Sequence, residues 1–258
     1  MYRRVASGSP GSALIILILP MKAIILAAGL GTRLRPITST IPKCLVPING
    51  VPLLELWLRD CELAGVEGVL VNTHHLAGRV EEFVAARRGI PVTLAYEPAL
   101  LGSAGTIAAN WDFVDSAESF LVVYADNLTT FPLSELVAFH ATHDRIASMA
   151  LFRSPNPSAC GVVEMDHSGL VTGFWEKPAN PPGNLVNAGL YAFRRQVRPY
   201  LPEVPAGLPA DIGRSLMPAL VGRAMGLPIG DYFVDIGTLE NYYSAQVDYA
   251  AASADSGN

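Results

Sequence analysis

An α/β fold with a mostly parallel central sheet, helices on both faces and a smaller mixed or antiparallel part is predicted by three features of the sequence. Short apolar, β-branched runs alternate with amphipathic stretches of helical period between residues 23 and 96, the pattern of β-α-β units whose crossovers impose parallel strands. A longer apolar run, FLVVYAD over 120–126, ends in an acid. A central parallel strand delivers a carboxylate in this way at its carboxyl edge. From residue 148 onward the spacing shortens to that of strands joined by tight turns, and prolines at 155, 157, 178, 181 and 182 mark surface loops.

The first strand, 23–26, is followed at once by Ala27, Ala28, Gly29 and Gly31. So few side chains let the chain turn tightly and let another group approach its backbone. Consecutive exposed N–H groups in such a turn make a concave anion site. Thr32 adds a hydroxyl, and Arg33 and Lys43 add the positive charge that a polyphosphate attracts. A lone Gly-x-Gly also fits an ordinary strand–turn junction. Two familiar phosphate loops do not fit: Leu34 stands where the dinucleotide fingerprint needs its third glycine, and no Gly-Lys-Ser/Thr closes the loop.

Further elements follow in order. A helix over 52–64 starts at Pro52 and stops at Gly65, a strand covers 68–72, and an amphipathic helix covers 76–87. His74 and His75, at the turn before it, have no carboxylate or cysteine spaced with them and read as surface residues. After a strand at 92–96, EPALLGSAGTIAAN (97–110) is a glycine-bearing loop entering a helix. Its helix start could face a ligand or close the sheet edge. Asp126 reads as a metal ligand or as a cap for the turn beside Asn127. A helix over 132–143, strands at 148–152, 161–165, 170–175 and 185–193, and helices near 211–222 and 239–252 complete the chain.

Composition narrows the function. Among 258 residues, half are hydrophobic and only 16% are charged, which excludes extensive disorder and suits one large domain. A net charge of -5 lacks the basic stripe of a nucleic-acid surface, although cations gathered in one cleft still bind anions. Cys44, Cys61 and Cys160 show neither metal spacing nor a disulfide framework, so a reducing cytoplasm is expected. Residues 1–20 begin MYRR and carry an apolar run at 14–19, too short for a membrane span of about 20 residues. They read as an extension ahead of Met21 rather than a signal peptide, since no small-x-small cleavage site follows. The expected domain is 21–252, with a frayed tail over 253–258.

Several motifs, in order, resemble the sugar-1-phosphate nucleotidylyltransferase family. GLGTRLRP (29–36), with Lys43 beyond, is similar to its G-x-G-T-R-[LM]-x-P signature and following lysine. Trp175-Glu176-Lys177-Pro178 is similar to its F-x-E-K-P motif, and Asn187-Ala188-Gly189 to its N-A-G strand. Phe233 to Thr238 (FVDIGT) resembles W-x-D-[IV]-G-T, with Phe233 replacing tryptophan. Gly161-Val162 resembles part of Y-G-V, with Cys160 departing. The likeness covers 22 to about 249, nearly the whole chain. Ser103 replaces a threonine usual in the GTAG-like stretch, and no hexapeptide repeats of a left-handed β-helix are present.

The resemblance implies a Rossmann-like nucleotidyltransferase fold with a small mixed or antiparallel subregion on the sugar side. It implies Mg²⁺-dependent transfer of a nucleoside monophosphate from a nucleoside triphosphate to a sugar 1-phosphate, with release of pyrophosphate. Asp126 and Asp235 are the metal carboxylates it implies; Arg33, Lys43 and Lys177 are the catalytic cations. Leu26, Ala28, Gly29, Gly31, Thr32, Gly102 and Thr106 fall on the nucleotide side, and Gly161, Glu176, Lys177 and Asn187 on the sugar-phosphate side. LLGSAGT and GNLVNAGLYAF look most like the mannose-1-phosphate guanylyltransferases. The alternatives are a glucose-1-phosphate thymidylyl- or uridylyltransferase, and, in another class, a non-catalytic nucleotide-sugar sensor. A sensor predicts loss of a cation or an aspartate, yet Arg33, Lys43, Asp126, Lys177 and Asp235 are all present.

Overall fold

The computed structural model describes residues 21–203 and 209–255, so the expectation for 1–20 lies outside the described residues. The chain opens with β1 (Met21–Leu26), three single turns of 3-10 helix, and a hairpin of β2 (Pro47–Ile48) and β3 (Val51–Pro52). Next come α1 (Leu53–Leu63), β4 (Val66–Thr73), α2 (Ala77–Ala86), β5 (Val92–Tyr96), α3 (Ser103–Ala109), α4 (Trp111–Val114) and β6 (Ser119–Tyr124). Then follow β7 (Asn127–Thr129), α5 (Leu133–Ala141), β8 (Ala147–Arg153), β9 (Gly161–Met165), β10 (Val171–Glu176) and β11 (Leu185–Arg194). The remainder is a π-helical turn (Ile212–Leu216), α6 (Met217–Ala219), β12 (Ala224–Pro228), β13 (Phe233–Asp235) and α7 (Leu239–Asp255).

The main sheet runs β10-β9-β11-β6-β1-β4-β5, with β8 added at β11 and β12 at β8. Its centre, β6-β1-β4-β5, is parallel. The antiparallel part begins at β11, which pairs with β6, β8 and β9. Alternating side chains explain the two cores. Ala23, Ile25, Leu121 and Val123 face α1, α2, α5 and α7, whereas Ile24, Phe120 and Val122 face α3, α4 and the π-helical turn. Strands buried on both faces read as continuous apolar runs, which is how β1 and β6 look in the sequence.

From β1 the chain moves toward β4, and from β6 it moves the opposite way toward β8. β1 and β6 therefore form the switch point of the sheet, where open α/β sheets leave a crevice beyond the strand ends. The glycine loop after β1 and Asp126 after β6 flank it.

The helix expected near 211–222 forms over 212–219, as one π-helical turn running into the three residues of α6, and the chain then becomes β12, parallel to β8, a strand the sequence reading did not include. Pro218 inside this segment removes an amide donor, and pairing with β8 satisfies a sheet edge that would otherwise stay open. The tail expected to fray from 253 is instead helical through Asp255; residues 256–258 lie outside the described residues.

Candidate active site

Asp126 stands two residues past the end of β6, and Asp235 ends β13. β13 pairs antiparallel with β7, placing Asp235 opposite Asn127, and Ile236 N–H donates to Asp126 O at 2.8 Å. Residues 109 positions apart are thus set side by side by backbone bonds, without reliance on flexible side chains. Lys43 sits between them, buried, its Nζ 2.6 Å from Asp126 Oδ2 and 3.5 Å from Asp235 Oδ1. Arg33 reaches Asp235 Oδ2 at 3.9 Å from an exposed position. Burial and the charge of Asp126 push the Asp235 carboxyl above its usual range, against the downward pull of Lys43 and Arg33.

A cleft of about 260 Å³ opens on one side of Asp126. Of the residues that the resemblance groups on one side, Leu26, Ala28, Gly29, Gly102 and Thr106 line it together with Lys43, while Gly31, Thr32 and Arg33 lie outside its wall. Gly31 has φ +63°, and a Cβ there would stand 2.9 Å from Thr38 Cγ2, so the turn needs glycine on both counts. A second cleft of about 340 Å³ lies on the other side, lined by Gly161, Glu176, Lys177, Asn187, Asp126 and Asp235. The clefts share Tyr124, Asp126 and Asp211 as a common wall. The acid singled out in the sequence therefore stands where the two spaces meet. A separate cavity of about 380 Å³ near Trp57, Asp60 and Phe131 contains none of the sequence-predicted residues.

For the start of α3 the sequence left open facing a ligand or closing the sheet edge: Gly102, Ser103 and Thr106 line the first cleft, whereas Ala104 N–H and Gly105 N–H donate to Ala210 O at 2.8 and 3.1 Å. Ser103 Oγ likewise accepts Ile212 N–H at 2.8 Å and the Tyr124 hydroxyl at 2.8 Å. The helix start is clamped to the segment carrying the π-helical turn. His74 and His75 also prove to be half-buried braces: Nδ1 of His74 donates to Glu97 O at 2.7 Å, and Nε2 of His75 to Thr38 O at 3.1 Å.

Two residues that sequence reasoning missed, Asn72 and Glu97, organise the wall of the first cleft. Asn72 Oδ1 accepts from Ala27 N–H at 2.6 Å and Ala28 N–H at 3.3 Å, which sets the path of the loop after β1. Its amide nitrogen donates to Glu97 Oε1 at 2.8 Å. Glu97, only 3% exposed, also accepts from the Thr106 hydroxyl at 2.5 Å and Leu101 N–H at 3.1 Å. The available signal was positional. Asn72 lies near the end of β4 and Glu97 directly after β5, at the same sheet edge that singled out Asp126.

In the second cleft, Lys177 adopts φ +49°, and its N–H donates to Cys160 O at 2.9 Å. Asn187 bonds to the Tyr191 hydroxyl and accepts Gly189 N–H at 2.9 Å. Among the described residues no group of three or more His, Cys, Asp or Glu side chains is placed to hold a metal; Asp126 and Asp235 are the carboxylates that share Lys43.

Fold and site together define an α/β protein in which two clefts adjoin at a carboxylate pair ringed by cations. Residues 22–252 match the family model described as Nucleotidyl transferase, and the chain belongs to that family. It is 35% identical over 246 residues to a UTP–glucose-1-phosphate uridylyltransferase of Synechocystis sp., covering 87% of this chain and 62% of that protein. It is 31% identical over 240 residues to a mannose-1-phosphate guanylyltransferase of Mycobacterium tuberculosis, covering 91% and 66%. The chain thus spans just under two thirds of the length of these curated relatives. A Bacillus anthracis structure described as a glucose-1-phosphate thymidylyltransferase superposes with a TM-score of 0.79, covering 90% of this chain and 95% of that one. At 23% identity, that is a likeness of fold.

Proposed function

We propose that this protein transfers a nucleoside monophosphate from a nucleoside triphosphate to a sugar 1-phosphate, with release of pyrophosphate. The observation that carries this reading is the pair of clefts meeting at Asp126, where Asp235, Lys43 and Arg33 converge. An oxygen of the sugar phosphate attacks the α-phosphorus, a new P–O bond forms, and the bond to pyrophosphate breaks. Two anions must be brought together, so alignment and charge stabilisation are the protein's main tasks.

The carboxylates suit Mg²⁺. They are oxygen donors that already share one cation, the Lys43 ammonium, and Mg²⁺ commonly takes one or two carboxylates plus phosphate oxygens. Asp126 and Asp235 would hold the ion, which when bound supplies charge neutralisation and a template for the phosphates. Lys43 serves the α-phosphate and the leaving group, and Arg33, exposed beside Asp235, the β- and γ-phosphates. Lys177 meets the sugar phosphate as a mobile point charge. Leu26, Ala28, Gly29, Gly31, Thr32, Gly102 and Thr106 frame the nucleotide. Gly161, Glu176 and Asn187 meet the sugar hydroxyls.

Guanine and mannose 1-phosphate are the preferred pair. Glu97 supports guanine, because its carboxylate lines the nucleotide-side cleft and an ionised carboxylate only accepts hydrogen bonds. Guanine offers N1–H and an exocyclic amine side by side, whereas uracil and thymine offer one N–H between two carbonyls. The uridylyl alternative is favoured by the Synechocystis relative. In keeping with a reducing cytoplasm, the three cysteines are free, and among the described residues no helix is long and apolar enough to cross a membrane.

Pyrophosphate release across a panel of triphosphates and sugar 1-phosphates tests the reading. GTP with mannose 1-phosphate is expected to turn over fastest. Faster turnover of UTP or dTTP with glucose 1-phosphate overturns the specificity. Release with no pair at all leaves a binding protein and overturns the activity.

A further inference from the structure

In the sugar-side cleft, two glycines from separate elements close on one carboxylate. Glu176 ends β10, and its register partner on β9 is Gly161. A Cβ at Gly161 would stand 3.1 Å from Glu176 Oε2 and 2.7 Å from the Phe174 ring. From the π-helical turn, a Cβ on Gly213 would collide with Glu176 Oε2 and stand 2.9 Å from its Cδ. The carboxylate thus occupies the volume that a side chain at position 213 would take. Its other oxygen, Oε1, lies 3.9 Å from Lys177 Nζ.

Gly213 differs from the glycines required for their backbone. Gly31, Gly102 and Gly189 have φ of +63°, +75° and +70°, whereas Gly213 has no left-handed φ. Alanine fits its backbone, so only space demands glycine there. The turn itself is anchored: Ile212 N–H donates to Ser103 Oγ at 2.8 Å, Ala210 N–H to Leu101 O at 2.8 Å, and Ser215 N–H to Asp211 O at 2.9 Å. The atom that would yield is the free end of the Glu176 side chain.

We propose that Gly213 is a positioning residue for the sugar 1-phosphate: its missing side chain admits the Glu176 carboxylate to a slot from which it accepts hydrogen bonds from sugar hydroxyls. This rests on the reading of the cleft as the sugar-phosphate site.

The test is Gly213→Ala in the full chain, followed by crystallography and by pyrophosphate release with GTP and mannose 1-phosphate. The carboxylate of Glu176 is expected outside the slot, with the backbone of 212–214 in place. KM for mannose 1-phosphate should rise about 10- to 100-fold, the loss typical of a displaced contact group, while KM for GTP stays unchanged. Glu176→Asp withdraws the carboxylate by one methylene, so Gly213→Ala should cost little more in that background, a non-additivity expected of residues in contact. If Gly213→Ala fails to fold, the double variant should restore folding by removing the collision. An unmoved carboxylate, an equal rise in both KM values, fully additive penalties, or a double variant that also fails to fold overturns the inference. A wild type inactive with every pair of the panel overturns the proposed function instead, and the crystallographic arm still reads the slot.

Discussion

Asp60 shows how a single buried group sets a pH dependence away from the clefts. It accepts Leu133 N–H at 3.2 and 3.3 Å at the start of α5, yet burial outweighs that bond and pushes its carboxyl up to about 6. The ordinary unfolded value is about 3.9, so the folded state holds the proton more tightly. The sign follows: stability falls as pH rises from about 4 to about 6, by about 2–3 kcal/mol. Asp60→Asn keeps an acceptor and removes the charge. Chemical denaturation should find it more stable than wild type at pH 7 and no more stable at pH 4. A constant difference between the two across that interval contradicts the assignment. Glu97, inside the first cleft, acts through its hydrogen bonds. Glu97→Gln places a donor where Leu101 N–H and a guanine edge both need an acceptor. Steady-state kinetics should show KM for GTP raised about 10-fold or more, the cost of a buried unpaired group, with KM for mannose 1-phosphate unchanged. Parallel changes in both would mean that Glu97 serves the fold alone.

The elements divide according to how local their causes are. β1 and β6 are legible because both faces are buried, and the parallel β-α-β order follows from their alternation with amphipathic helices. β12 is not: AMGLP contains a glycine and a proline, and only the open edge of β8 makes it a strand. β11 owes its shape to Gly189, where the register with β8 shifts between Asn187 and Tyr191. Gly189 has φ +70°, and a Cβ there would stand 2.6 Å from Asn127 Nδ2, whose own bond to Ala188 O is 2.7 Å. Gly189→Ala should therefore cost more than about 1 kcal/mol. At this chain length that lowers the melting temperature by about 2–4 °C or more. Calorimetry checks this; an unchanged melting temperature would show that β11 adapts without strain.

At the scale of the whole molecule, an acidic chain gathers cations at one junction. Arg33, Lys43, Lys177 and Arg214 stand at or beside the clefts of a protein with net charge -5, interleaved with Glu97, Asp126, Glu176, Asp211 and Asp235. Motifs singled out Arg33, Lys43, Lys177 and Asp235, each in a short, ordered signature, and the apolar run ending in an acid singled out Asp126. What the motifs could not show is the bridging between strands: Asn72 with the loop after β1, Glu97 with Thr106, and Gly213 with Glu176. Those contacts join residues whose own surroundings in the sequence are unremarkable, and only the folded sheet brings them within reach. The most direct measurement is pyrophosphate release from GTP and mannose 1-phosphate by wild type and by Asp126→Asn under the same conditions. Release that requires both substrates and falls about 100- to 1,000-fold in the variant is the expected result. Equal release by the two proteins would contradict the placement of the reaction between Asp126 and Asp235.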